Sequence, residues 1–295
     1  MRLTILGNTP IPCPDGAGPG YLVESGTTAV LLDCGPGVLG KLLARRSVSS
    51  LTAVIVSHMH LDHIYDLPIL FLKRQMEQRL PRETANGATE QGALHVYLPP
   101  GGIATIDSVL TAYGLPPAAP SGDSPVDLAR YGMGDRAGDA TAANPYGVVL
   151  NEYDPHAALA VGDLSVAFVG PTPHFPGECY AMRLTGPTGT VLAYTGDTSP
   201  APIVAEIARD ADCFLCEATM VENTDLAGQE ARHMTGRAAG AYASEAHVGI
   251  LVLTHFLSTS PEWLANTERT ASETFAGPVT LAQIGAAITV TPAGT

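Results

Sequence analysis

Short apolar runs punctuated by glycine and proline dominate the first third of the chain. RLTILG (2–7), GYLVES (20–25) and TAVLLD (28–33) are rich in β-formers, and a tight turn at Ser25-Gly26-Thr27 joins the last two. The spacing turns helical in VLGKLLARR (38–46). LTAVIVSH (51–58) predicts a short buried strand, LPILFLKRQMEQRL (67–80) a helix ending near Pro81, HVYLP (95–99) a strand and GIATIDSVLTAYG (102–114) a helix. Residues 83–92 are polar and loop-like.

Residues 114–147 are rich in Ala, Gly, Pro, Ser and Asp and show little periodicity. Two readings stand: a flexible, solvated surface insertion, or a mobile lid that brings Arg130, Tyr131 or Arg136 to a substrate. Strands then resume in GVVLNEY (147–153), LSVAFVG (164–170), CYAMRLTG (179–186) and TVLAYTGD (190–197). Ser199-Pro200 reads as an N-cap followed by a first-turn proline, opening a helix over 201–210. DCFLCEA (212–218) predicts a strand, Thr235 a cap for the helix that follows it, VGILVLTH (248–255) a strand, and Ser260-Pro261 a second capped helix. PVTLAQ (278–283) and AAITVTP (286–292) close the chain as strands. Strands in two batches, each joined to helices, predict two sheets with helices outside, an α/β sandwich. No internal sequence repeat of roughly 20–50 residues is evident.

Composition narrows the partners. The 295 residues are 45% hydrophobic, enough for a globular core, and are read as a single domain over 1–295 carrying the 114–147 insertion. Fifteen basic against 29 acidic side chains leave a net charge of −14, which argues against duplex DNA or a large RNA held by phosphate contacts. No segment approaches the roughly 18 apolar residues of a membrane span, and the N-terminus does not read as a secretory signal. Five cysteines, an odd number, fit reduced thiols in the cytoplasm. Cys213 and Cys216 form a C-x-x-C on a strand, where positions i and i+3 face opposite sides, so core packing is expected rather than a zinc or redox pair.

The strongest chemical signal is SHMHLDH, which places His58, His60, Asp62 and His63 within six residues at the end of a strand. Imidazole nitrogen and carboxylate oxygen in this density suit Zn2+, and also Mn2+ or Fe2+. Asp197 among turn residues, His174 in a proline-rich loop and His255 after an apolar strand would be unremarked one by one. With Asp33 in LLDCGPG, however, they complete five motifs in order, and the chain resembles the metallo-β-lactamase superfamily over nearly its whole length. That resemblance implies a four-layer αββα sandwich of two mixed β-sheets and two divalent metal ions. His58, His60 and His174 would hold the first ion, Asp62, His63 and His255 the second, and Asp197 would bridge them. Asp33 would orient the site from behind.

His233 in RHMTG and Glu217 in CEATM further resemble the tRNA 3′-processing endonuclease (RNase Z) branch, where such a His assists phosphodiester cleavage and the Glu supports it. Asp62, His233 and Glu217 are therefore the expected catalytic residues. Two features separate the chain from that branch. Asp197 comes only 23 positions after His174, and the interval is filled by two strands and a turn, with no room for the basic tRNA-gripping arm of bacterial forms. Lys41 and Lys73 are its only lysines. What remains is a phosphodiesterase-like core acting on a small, anionic substrate such as a cyclic nucleotide, with water activated between the ions. A lactonase, thioesterase or arylsulfatase of the same fold is the alternative. Asp rather than Cys at position 197 departs from true β-lactamases. His60, where a Glu stands in the diiron redox members, departs from those. A homodimer is compatible with the branch. His95, His156 and His247 match nothing.

Overall fold

The structure, a computed structural model, describes residues 1–14, 16–79, 92–118, 145–174, 176–222 and 232–292. Arg130, Tyr131, Arg136 and most of the 114–147 insertion lie outside the described residues, as does most of the 83–92 loop. The strands in chain order are β1 (Arg2–Gly7), β2 (Gly20–Ser25), β3 (Thr28–Leu32), β4 (Ala53–Ile55), β5 (Leu94–Leu98), β6 (Val148–Glu152), β7 (Leu159–Val161), β8 (Leu164–Thr172), β9 (Cys179–Thr185), β10 (Val191–Tyr194), β11 (Cys213–Glu217), β12 (Ile250–Thr254), β13 (Val279–Leu281) and β14 (Ala287–Thr289). The helices are α1 (Val38–Leu43), α2 (Leu61–Ile64), α3 (Leu67–Arg79), α4 (Gly102–Ala112), α5 (Pro202–Ala208), α6 (Gly236–Glu245) and α7 (Pro261–Ser272).

Two seven-stranded mixed sheets result, ordered β14-β1-β2-β3-β4-β5-β6 and β13-β12-β11-β10-β9-β8-β7. In the first, β14, β1, β2 and β3 pair antiparallel and β3 to β6 parallel. The second repeats the scheme: β7 to β10 pair antiparallel, β10 to β13 parallel. The halves share a topology that their sequences do not display.

Period-two alternation divides each strand between two cores. Leu3, Ile5, Val23, Val30 and Ile55 of the first sheet meet Met182, Leu184, Leu192, Leu215 and Val252 of the second in a layer between the sheets. Leu6, Leu22, Leu31, Val54 and Val96 point outward against Leu39, Leu42, Leu67, Phe71 and Ile106 of α1, α3 and α4. Ala193, Phe214, Cys216 and Leu253 do the same against Ile207, Ala239 and Ala271 of α5, α6 and α7. The order helix, sheet, sheet, helix is the expected four-layer α/β sandwich. Cys213 packs in the inter-sheet core and Cys216 under the helices, opposite faces of β11 as the spacing required.

Thr235 and Ser260 cap their helices, accepting from Ala238 N at 3.2 Å and Trp263 N at 3.2 Å. Ser199 does not cap a helix. Helix α5 starts later, with Ala201 at its N-cap position and a proline in its first turn. The Ser199 hydroxyl instead donates to Pro173 O at 2.8 Å, tying the loop after β10 to the loop after β8. Strand β7 was not anticipated; its three residues are too few to show a period. No helix among the described residues is long and apolar enough to cross a membrane.

Candidate metal centre

Strand ends of both sheets meet in one place. His58 follows β4, His60 N-caps α2, and Asp62 and His63 lie in its single turn. The second sheet supplies His174 after β8, Asp197 after β10, Glu217 at the end of β11 and His255 after β12. Close backbone packing fixes the turn around α2. Cys34 N donates to His63 O at 2.7 Å, and a Cβ on Gly35 would stand 2.0 Å from Asp62 O, so only glycine fits there.

Two groups of donors form. His58, His60, His174 and Asp197 offer one ligand atom each, all within 4.8 Å of one another, and so do Asp62, His63, Asp197 and His255. Asp197 belongs to both. Its Oδ2 lies 3.8 Å from His58 Nε2 and 3.6 Å from His174 Nε2, while its Oδ1 lies 3.3 Å from His63 Nε2 and 3.4 Å from His255 Nε2. His60 presents Nδ1, 3.0 Å from His174 Nε2, because its Nε2 donates to Pro176 O. Asp62 Oδ2 sits 3.5 Å from His63 Nε2 and 3.3 Å from His255 Nε2.

Three of these atoms, His58 Nε2, His63 Nε2 and Asp197 Oδ1, are buried without a hydrogen-bond partner. Buried polar atoms without partners are costly, and here they converge on shared points. The nitrogen- and oxygen-rich donor set fits two divalent cations. Burial disfavours charge on His63, but Asp197 and Asp62 outweigh it and raise its imidazole well above the ordinary value, so a cation there would take the place of that proton. Burial disfavours charge on Asp197, but His255 and His63 outweigh it and hold the carboxyl well below the usual carboxylate range. Burial, reinforced by His63, keeps His58 well below the ordinary imidazole value, in the neutral form that can ligate.

The shell behind the donors was only partly legible in the sequence. Asp33 was anticipated. Its Oδ2 accepts from His63 Nδ1 at 2.8 Å and from Tyr194 OH at 2.6 Å, and its Oδ1 from Ser57 N at 2.7 Å. Ser57, whose Oγ lies 3.1 Å from His58 Nδ1, Tyr194 and Thr219 were not. They are common residue types with no diagnostic spacing. Asp33 and His255 both take left-handed backbone, with φ 56° and 62°, a strain of roughly 1–3 kcal/mol each for a residue with a Cβ.

Glu217 organises the other side. It accepts from Thr198 N at 2.6 Å, Thr219 Oγ1 at 2.6 Å, His233 Nδ1 at 3.0 Å and Met234 N at 3.2 Å. A carboxylate so engaged has no lone pair left for a cation, which sets the cluster of Glu217, His233 and His255 apart from the two metal-type groups. Because the Thr219 hydroxyl gives its proton to Glu217, His255 Nδ1 must donate to it across 2.7 Å, which leaves His255 Nε2 as the atom that faces Asp62 and Asp197. The His233 ring packs 5.1 Å from His174 and 5.7 Å from His255, centroid to centroid, above both groups. Burial alone would lower the His233 imidazole; Glu217 outweighs it and raises it to about 9. His95, His156 and His247 take no part in either group.

Comparison with known proteins agrees with this arrangement. An uncharacterized protein of Mycobacterium leprae, ML1173, is 31% identical over 95% of this chain and 85% of its own. Ribonuclease Z of Mycobacterium marinum is 30% identical over 87% of this chain and 86% of its own. The crystal structure of the metallo-beta-lactamase fold protein YhfI from Bacillus subtilis superposes with a TM-score of 0.75 at 26% identity, covering 97% of this chain and 98% of that one. Residues 13–247 match the profile of the metallo-beta-lactamase superfamily, and with the fold and the paired donor groups already in place, the chain belongs to that superfamily.

Proposed function

We propose that this chain is a metal-dependent hydrolase that cleaves small phosphodiesters, cyclic nucleotides among them. The observation that carries the reading is His233, clamped by Glu217 and poised over both donor groups. His58, His60 and His174 would hold one ion, Asp62, His63 and His255 the other, and Asp197 both. Zn2+ suits this set best, with Mn2+ or Fe2+ compatible. Two such ions, when bound, supply an activated water and neutralise the non-bridging phosphoryl oxygens.

The protein's own residues do the rest. Asp62 and Asp197 orient the attacking water. His233, oriented by its hydrogen bond to Glu217, hands a proton to the departing alkoxide as the bond from phosphorus to that oxygen breaks. An alkoxide needs that proton far more than a phenolate does, so the arrangement favours natural diesters. The similarity to a ribonuclease Z supports a phosphodiester bond. Strands β9 and β10 fill the interval between His174 and Asp197, and the −14 charge likewise supports a substrate smaller than tRNA.

A panel of bis(p-nitrophenyl) phosphate, cyclic AMP, an acyl-homoserine lactone and an aryl sulfate tests the reading on zinc-loaded protein. Phosphodiester turnover is expected, and His233→Ala should lower kcat on cyclic AMP by about 10²-fold or more with metal content unchanged. Turnover of the lactone or sulfate alone, or an unaltered His233→Ala enzyme, would overturn it.

A further inference from the structure

An apolar groove of about 560 Å3 opens beside the donor groups. The loop between β1 and β2 gives Pro10, Ile11 and Pro12, the loop after β3 gives Pro36, α2 contributes Leu61 and Asp62, and Tyr65 follows at its C-terminal end. Asp62 joins the groove to the centre, since the residue that lines one also offers Oδ2 to the other. Ile11 and Leu61 are 71% and 62% exposed, the two most exposed large hydrophobic side chains among the described residues. On a chain with a net charge of −14, their meeting at the mouth of the site calls for an occupant.

The lining chooses the occupant. Among the described residues it contains no cation, so it offers a second anionic group no partner. Three proline rings give rigid, flat walls, and Tyr65, 48% exposed, adds an aromatic face. Rings stack on such surfaces with little dependence on their edges. None of the residues around His233, namely Arg232, Met234 and Glu217, lines the groove, so the leaving oxygen that His233 serves belongs elsewhere. We infer that this groove binds a flat, uncharged aromatic ring, a nucleobase or an aryl group, on the half of the diester that keeps the phosphate.

The inference rests on the phosphodiesterase reading only for the phosphorus, so binding and turnover are tested separately. Methyl phosphate, phenyl phosphate and adenosine 5′-monophosphate are titrated calorimetrically into zinc-loaded protein and into an Ile11→Ser/Tyr65→Ala variant. Phenyl phosphate should bind about tenfold more tightly than methyl phosphate, the nucleotide at least as well as phenyl, and the variant should bring the three within about threefold of one another, consistent with loss of a stacked ring. If phenyl gains but the nucleotide does not, the ring is an aryl group rather than a base. Equal affinities in the parent protein overturn the inference. So does a variant that weakens all three alike, or one whose light scattering shows a dimer becoming a monomer, which would make the groove a contact between copies. In parallel, methyl and phenyl p-nitrophenyl phosphate share one leaving group, and their kcat/KM ratio should fall about tenfold in the variant. If neither ester is turned over while the binding preference holds, the phosphodiesterase reading fails and the groove stands.

Discussion

Glu217 serves two histidines with different duties: directly it holds His233, and through the Thr219 hydroxyl it sets the tautomer of His255. Thr219→Val keeps the shape but removes the acceptor for His255 Nδ1. Metal affinity measured by chelator competition should fall about 10–100-fold, the usual cost of losing such a partner. The His233 proton gives a second prediction. In chelator-stripped protein, NMR titration should find the imidazole protonated until the pH rises through about 9. Its folded value lies above the unfolded value of roughly 6.5, so the stability it contributes is full below that pH and is lost as pH rises through about 9. Glu217→Gln should move the titration down to roughly 6.5 or lower, where burial then acts unopposed. At this scale the sequence spoke unevenly. The four residues of His58 to His63 are legible because they crowd into six positions, whereas Ser57, Tyr194 and Thr219 look like any strand or turn residue until the fold puts them at hydrogen-bonding distance.

Helices α6 and α7 cross at unusually close range. A Cβ on Gly236 would lie 2.2 Å from Thr267 O, and one on Gly240 2.3 Å from Ala271 O. Both obstacles are backbone, so neither can swing aside. Gly240→Ala would gain about 1 kcal/mol of helix propensity and lose about 1–3 kcal/mol to overpacking. The expected net result is a lower Tm by thermal denaturation. Because α6 begins three residues after His233, kcat on a phosphodiester should fall as well. Most elements could be read from periodicity and caps, as Thr235 and Ser260 illustrate. Ser199-Pro200 misled because the same dipeptide that caps a helix also makes a loop anchor, and only the Pro173 carbonyl decides between them.

At the scale of the whole molecule, the charge sets how substrates arrive. Two divalent ions would bring −14 only to about −10, so an anionic diester meets net repulsion until it is within the reach of the centre. Raising inert salt from about 0.01 to 0.15 M shortens the screening length from about 30 to 8 Å. kcat/KM for a small anionic diester should therefore rise about two- to threefold, by stopped-flow or initial rates, while a neutral ester stays flat. The two-sheet plan was legible from the two batches of strands. The repeated pairing scheme was not, since β14 crosses back to complete the first sheet with a strand from the end of the chain.

All five cysteines are free, so no disulfide ties the halves. The donor groups draw on both: four side chains come from the turn after β4 and three from loops of the second sheet, and each group mixes the two. An ion held in either position would thus be a clasp between the sheets. It would close a loop of more than a hundred residues, as a long-range disulfide does in a secreted protein, and would be undone by a chelator rather than a reductant.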